Sequence, residues 1–343
     1  MQENKSRMIS CQPCPQCGRR SVWRSDICPL CGYTKDSAPE EFYIKDGELV
    51  HYNGKQANVT IPDGVTALGD GAFGAGRGIT ALTVPASVTH IEPGAVTRLN
   101  DLIIISVAKD NPVYRSVGNC IIETGTGTLI AGCKGSVIPD DGSVIIIGDS
   151  AFLNCNLTDL VIPDGVVSIE YNAFSGCELI KEVFIPASVT NIDAAAFAYC
   201  GALEKITVDK SNPVYHSAGN CIIETETKTL IASYKNSVIP SDGSVEYIGV
   251  EALSGYGVQH VVIPQGVAGI DGLAFCACRA AEISIPASVT EIGFRAFERC
   301  QALRDIHYSG TRDQWRRIAK KAFCDKDLYR CTVHCADGDI RRS

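Results

Sequence analysis

A repeat nested inside a repeat constrains this chain more than any other feature. The segment Asn111 to Val137, NPVYRSVGNCIIETGTGTLIAGCKGSV, returns 101 residues later, from Asn212 to Val238, as NPVYHSAGNCIIETETKTLIASYKNSV. Between and beyond the copies runs a shorter beat of 22 to 24 residues. An Ile-Pro or Val-Pro step recurs at Pro62, Pro85, Pro139, Pro163, Pro186, Pro240, Pro264 and Pro286. An Ala-Phe step follows most of them, at Phe73, Phe152, Phe174, Phe197, Phe275 and Phe297. Periods of this length belong to solenoids, in which one unit buries its apolar face only when a neighbour stacks on it.

The unit LTDLVIPDGVVSIEYNAFSGCELI (157–180) shows how one coil is built. Leu160 and Ile162 alternate as in a short strand, and Pro163, Asp164 and Gly165 turn the chain. Val166 and Ile169 point inward again, Ala173 and Phe174 close the coil from a short helical or 3-10 turn, and Cys177 caps it. Strand positions of this kind start near Val59, Leu82, Ile103, Val137, Leu160, Val183, Ile206, Val238, Val261, Ile283 and Ile306. They predict a mainly β solenoid of about 11 coils, on the order of 50 Å long at the spacing of paired strands.

The longer repeat interrupts this beat. Residues 109–135 hold an alternating run, a Thr-Gly-Thr-Gly turn and a second apolar run, which reads as a β-hairpin protruding from a coil. Residues 210–236 are its partner and 42–55 a shorter version. Such an insertion either caps or widens a binding face or is simply tolerated. After the last coil, YSGTRDQWRRIAKKAF (308–323) is amphipathic, with Trp315, Ile318 and Phe323 on one side, and is expected to cover the open end.

These motifs carry a family resemblance. The pattern I-P-x-S/G-V-x-x-I-x-x-x-A-F-x-x-C, complete in VFIPASVTNIDAAAFAYC (183–200) and ISIPASVTEIGFRAFERC (283–300), resembles the BspA-type, or treponemal-type, leucine-rich repeat over roughly residues 42 to 335. The resemblance implies a right-handed leucine-rich-repeat solenoid with inserted hairpins. It also implies that CTVHC (331–335) is a closing strand rather than a second metal site at Cys331, His334 and Cys335. Residues 308–335 then form the C-terminal cap and 336–343 a tail.

Residues 14 to 32, CPQCGRRSVWRSDICPLCG, lie outside the repeat. Two Cys-Pro-x-Cys-Gly knuckles, Cys14 with Cys17 and Cys28 with Cys31, offer four soft thiolates to one tetrahedral Zn²⁺. They resemble the knuckles of zinc ribbons. Cys11-x2-Cys14 is a second register, but the Pro and Gly flanking the first favour Cys14 and Cys17. A module of 1–32 has no adequate core, so structural zinc is expected to hold it, with 33–41 as a linker. Arg19, Arg20 and Arg24 balance the charge of a four-thiolate centre; with Trp23 they are also what a nucleic acid would contact.

The remaining cysteines follow the repeat. Of 17, five occupy one column three residues after the Phe: Cys155, Cys177, Cys200, Cys278 and Cys300. They read as small buried hydrophobes in a reducing compartment. The first 35 residues carry six basic and two acidic side chains while the whole chain carries −8, so the body is −12, which argues against nucleic-acid binding along the solenoid. No apolar stretch is long enough to span a membrane, and the N-terminus lacks a secretory h-region, so a cytoplasmic location is expected, with the cell surface as the alternative. Gly69 to Gly74 fits G-x-G-x-x-G, but its glycines fall on repeat columns. No catalytic motif is present, so neither an enzyme nor a small-molecule substrate is expected.

The strand residue between two core positions should face outward: Thr60, Thr83, Val161, Phe184, Thr207, Val262, Ser284 and His307. This column is apolar at Val161, Phe184 and Val262, with Thr207 between them, and is the candidate protein-contact surface. The leading expectation is a non-catalytic protein-interaction scaffold with a zinc-ribbon accessory. The alternatives are a BspA-type adhesin and a nucleic-acid-associated regulator acting through residues 1–32.

Overall fold

The computed structural model describes residues 11–14, 19–22, 28, 40–74, 78–97, 99–255, 257, 259–320 and 331–341. Residues 42–341 form a mainly β solenoid of about 12 turns, one more than the sequence count, with little helix. Each regular coil has three sides. The first face carries strands of three or four residues: Asn58–Thr60, Ala81–Val84 and Ile104–Val107 pair in parallel, as do Glu182–Ile185 with Lys205–Val208. His260–Val262, Glu282–Ile285, Asp305–Tyr308 and Thr332–Cys335 form a third parallel run. Registers are exactly in phase with the repeat, so that Val261, Ile283, Ile306 and Val333 stack as one buried column.

The second face is reached by a turn that the sequence spells out. In six of the eight Ile-Pro or Val-Pro coils the N–H three residues after the proline donates back to the proline carbonyl, as Val166 does to Pro163 and Val189 to Pro186 (both 3.3 Å). The turns alternate in sequence, and the alternation has a cause. The Gly165 N–H donates to Ser188 Oγ of the next coil at 3.1 Å, and Gly64 with Ser87 (3.1 Å) and Gly266 with Ser288 (3.2 Å) repeat the contact. A Pro-x-Gly-Val coil therefore needs a Pro-Ala-Ser-Val coil beside it. Beyond the turns, two-residue strands such as Ile146–Ile147, Ser168–Ile169 and Asn191–Ile192 pair in parallel.

The third side is made of the Ala-Phe turns. The Phe152, Phe174 and Phe197 rings stack at 5.2 and 5.3 Å with interplanar angles of 9°. The cysteine column is more than small apolar filling. Cys177 Sγ donates to Phe152 O at 3.1 Å, Cys200 Sγ to Phe174 O at 3.3 Å and Cys300 Sγ to Phe275 O at 2.9 Å, each thiol reaching the preceding coil.

The inserted segments differ from the sequence expectation: they do not protrude. Residues 42–55 form a two-stranded hairpin, and the two longer segments are each a three-stranded meander, Tyr114–Val117, Cys120–Glu123 and Thr128–Ala131 in the first copy, whose last strand joins the second face in parallel with Ile146–Ile147. The first turn is Gly118-Asn119, both with positive φ (57° and 58°), the two-residue hairpin turn whose twist matches the strands. The middle strand is buried on both sides. Ile121 belongs to a core running from Leu49 to Cys133, whereas Cys120 and Ile122 belong to the next, which reaches Tyr234. Ile222, with Cys221 and Ile223, divides that second core from the third in the same way. The meanders are partition walls between three core blocks. Their polar residues finish the edges they meet: the Tyr114 and Tyr215 hydroxyls accept the Ile91 and Ile192 N–H groups at 3.1 and 2.9 Å.

The far end is closed as expected by the helix Arg312–Ile318, N-capped by Thr311 in a capping box with Gln314. Trp315 is buried against Tyr308, 5.3 Å between rings; Phe323 lies outside the described residues. Within the stretch expected as a tail, Gly338–Ile340 adds an antiparallel edge strand to Thr332–Cys335.

Candidate interaction surface

The first face presents the column read from the sequence. Val161 is 76% exposed, Phe184 48% and Val262 56%, and Thr207, half-buried, lies beside Phe184 in register. Their strand neighbours Val183, Ile185 and Val261 are buried, so alternation pushes the column outward. Two members escaped the sequence reading: Val137 and Val238, each 70% exposed. The signal was available, because Val137-Ile138-Pro139 and Val238-Ile239-Pro240 stand in the same columns as Val161-Ile162-Pro163.

The sheet beneath this column is interrupted, contrary to the strand positions expected at Val137, Leu160 and Val238. Val137 N–H donates to Gly118 O and Val238 N–H to Gly219 O, both at 2.8 Å, so each pairs with a meander rather than with the next coil. Between residues 134–138 and 157–161 the face opens into a cavity of about 280 Å³, with Val137 and Val161 on its walls.

Toward the C-terminal end the face becomes polar. His307 and His334 stack at 4.9 Å. His334 binds Asp305 through Nε2 (3.0 Å) and Asp339 through Nδ1 (2.9 Å), and these carboxylates raise its pKa. Cys331 and Val333 point to the core while His334 points out, as strand alternation requires, so Cys331 and His334 do not converge.

In the N-terminal module Cys11–Pro13 pairs antiparallel with Arg20–Val22, and Cys14 N–H donates to Arg19 O at 3.0 Å. Cys14 and Cys28 are buried. Cys17 and Cys31 lie outside the described residues, and among the described residues no three His, Cys, Asp or Glu side chains are grouped to hold a metal. Among the described residues the solenoid thiols have no activated member: burial raises Cys155, Cys200 and Cys221 each to about 12 and pushes Cys177 and Cys300 higher still. Among the described residues no helix is long and apolar enough to cross a membrane.

Comparison with known proteins agrees with this geometry. Six copies of the BspA type leucine rich repeat region match at residues 47–116, 145–231 and 230–342. A leucine-rich repeat protein from Eubacterium ventriosum is 21% identical over 74% of this chain, with a TM-score of 0.47; the chain spans 60% of its length. A leucine rich cell surface protein from Faecalibacterium prausnitzii is 22% identical over 84% of this chain and 99% of its own, with a TM-score of 0.43. A leucine-rich repeat protein from Bacteroides ovatus is 23% identical over 80% of this chain and 71% of its own, with a TM-score of 0.37. No match was found among curated proteins. The repeat matches cover most of the chain and coincide with the coils described above: the protein belongs to the BspA-type leucine-rich repeat family.

Proposed function

We propose that this protein is a non-catalytic protein-interaction scaffold that recognises a partner through the first face, around Val161, Phe184, Thr207 and Val262. The observation that carries the reading is the exposed apolar column on a rigid stacked scaffold, five side chains from Val137 to Val262 that no part of the described chain covers. Exposed apolar side chains aligned along one face mark contact sites, and a single aromatic among aliphatics is a typical anchor. A joint Val161→Ala, Phe184→Ala, Val262→Ala variant should lose the proteins that the wild type retains in affinity capture. An unchanged set of partners would remove this surface from consideration.

Residues 1–32 form, in this reading, an accessory module held by structural Zn²⁺ on Cys14, Cys17, Cys28 and Cys31. The support is the donor chemistry, the burial of Cys14 and Cys28, and the strand pair that brackets the first knuckle. Zinc would supply the folding free energy that so small a module lacks. Elemental analysis of the full chain should give one zinc per chain, lost in Cys31→Ser; a metal-free wild type with a folded N-terminus would refute it. A stacked column of buried thiols suits a reducing, intracellular location, which cell fractionation tests directly.

A further inference from the structure

The turn side of the solenoid is broken at the second meander. Where two Ala-Phe turns stack directly, amides of one coil donate to carbonyls of the next: Phe152 to Ala173 (2.8 Å), Phe174 to Ala196 (2.7 Å), Gly176 to Ala198 (2.8 Å) and Phe275 to Ala296 (2.8 Å). Phe197 and Tyr199 come next in this ladder, and the coil after them carries the meander in place of a turn. Among the described residues their N–H groups meet no backbone carbonyl. The acceptor on the far wall, Ala252 O, is taken by Ser233, whose N–H and hydroxyl reach it at 3.0 and 3.2 Å.

This break opens into a cleft of about 1010 Å³ between residues 195–202 on one wall and Glu251, Ala252, Ser254, Gly255, Gly257 and 277–279 on the other. The matching space at the first meander measures only about 10 Å³, and there Asn156 Nδ2 bridges to Asn100 O at 3.4 Å. Tyr234 and Ser254 line the large cleft, but their hydroxyl oxygens are enclosed by protein and are not offered to it. Glu251, half-buried on the same wall, is paired with no cation among the described residues, and burial raises its carboxyl pKa. Native folds rarely leave backbone amides unpaired, and two of them at the end of one ladder beside an open cleft point to a ligand that supplies acceptors.

We propose that this cleft binds an extended peptide segment of a partner protein, whose carbonyls accept from the Phe197 and Tyr199 N–H groups while a basic side chain seats against Glu251. A peptide is favoured because the unpaired amides are the end of a main-chain ladder, and main-chain carbonyls are what every intact step of that ladder supplies. The site lies on the turn side and does not depend on the first-face reading.

The test uses the full chain and a phage-displayed random dodecapeptide library. Selected peptides, once synthesised, should share a Lys or Arg position and slow hydrogen exchange in residues 195–203 about tenfold or more. They should bind Gly201→Trp and Gly257→Trp about tenfold or more weakly. Both glycines line the cleft, and a Cβ at either meets no atom within 4 Å, so these variants fill it without strain on the core. Glu251→Gln should weaken the basic peptides about tenfold. Failure to select any peptide, selected peptides without a basic position, or peptides that bind both tryptophan variants as well as wild type and leave exchange at 195–203 unchanged, would overturn the proposal.

Discussion

Replacing Asn212 with alanine should loosen the wall between the second and third core blocks. The Asn212 side chain uses its whole hydrogen-bonding capacity: Nδ2 donates to Pro186 O (2.9 Å) and Val189 O (2.8 Å), and Oδ1 accepts from Val214 N (2.9 Å) and Tyr215 N (2.7 Å). It ties the turn of one coil to the first strand of the meander. A net value of roughly 1 kcal/mol per bond gives about 4 kcal/mol for the set. Asn212 is only half-buried, so water recovers part of this and about 3 kcal/mol remains. A chain of this length need not unfold in one step, so the loss should be read locally, by native-state hydrogen exchange across residues 186–215. Asn212→Asp should be no milder, because a carboxylate would face the Pro186 and Val189 carbonyls. A loss below about 1 kcal/mol, or one spread evenly over all three blocks, would refute the view that this residue locks a joint.

Three further outcomes follow from the same geometry. Gly219 has φ +57° and a Cβ there would sit 2.0 Å from Val238 O, so Gly219→Ala should cost about 3 kcal/mol or more, against about 1 kcal/mol for Gly243→Ala, which has positive φ but open space; denaturant melts of the two variants compare them. Native protein at pH 8 should resist iodoacetamide at Cys155, Cys177, Cys200 and Cys300, since burial suppresses their thiolates; mass spectrometry showing rapid alkylation there without unfolding would contradict the thiol column. His334 has a raised pKa in the fold, so the contribution of its charged form is complete below its unfolded value of about 6.5 and is lost as pH rises through the higher folded value. Exchange protection of Thr332–Ile340 should therefore fall as pH rises past about 6.5 in the wild type and stay level in His334→Gln.

The parts of this structure set by one coil's own residues were legible in the sequence. Proline turns, the Phe column, the inward isoleucines and the terminal cap all announce themselves locally, and the outward column follows from strand alternation. What depended on a neighbour was not legible. Leu160-Val161-Ile162 resembles Val183-Phe184-Ile185, yet only the latter lies in a paired strand, because pairing is decided by the coil next door. The meander was misread as a projection because its middle strand, Cys120-Ile121-Ile122, breaks the apolar–polar alternation; three consecutive buried residues mark a strand with a core on each side. Its Gly118-Asn119 turn was overlooked beside the more conspicuous Thr-Gly-Thr-Gly. The cleft is recorded in the sequence only as a missing beat, the absent Ala-Phe step between Phe197 and Leu253.

The most direct measurement of the central claim, that the first face is the recognition surface, is site-specific photocrosslinking in the producing cell. A photoreactive phenylalanine placed at Val161, Phe184 or Val262 should capture the same partner. The same probe at Tyr247, exposed on the second face, should capture none. Crosslinks of equal yield from Tyr247, or none from the three first-face positions while an untagged partner still co-purifies, would contradict it.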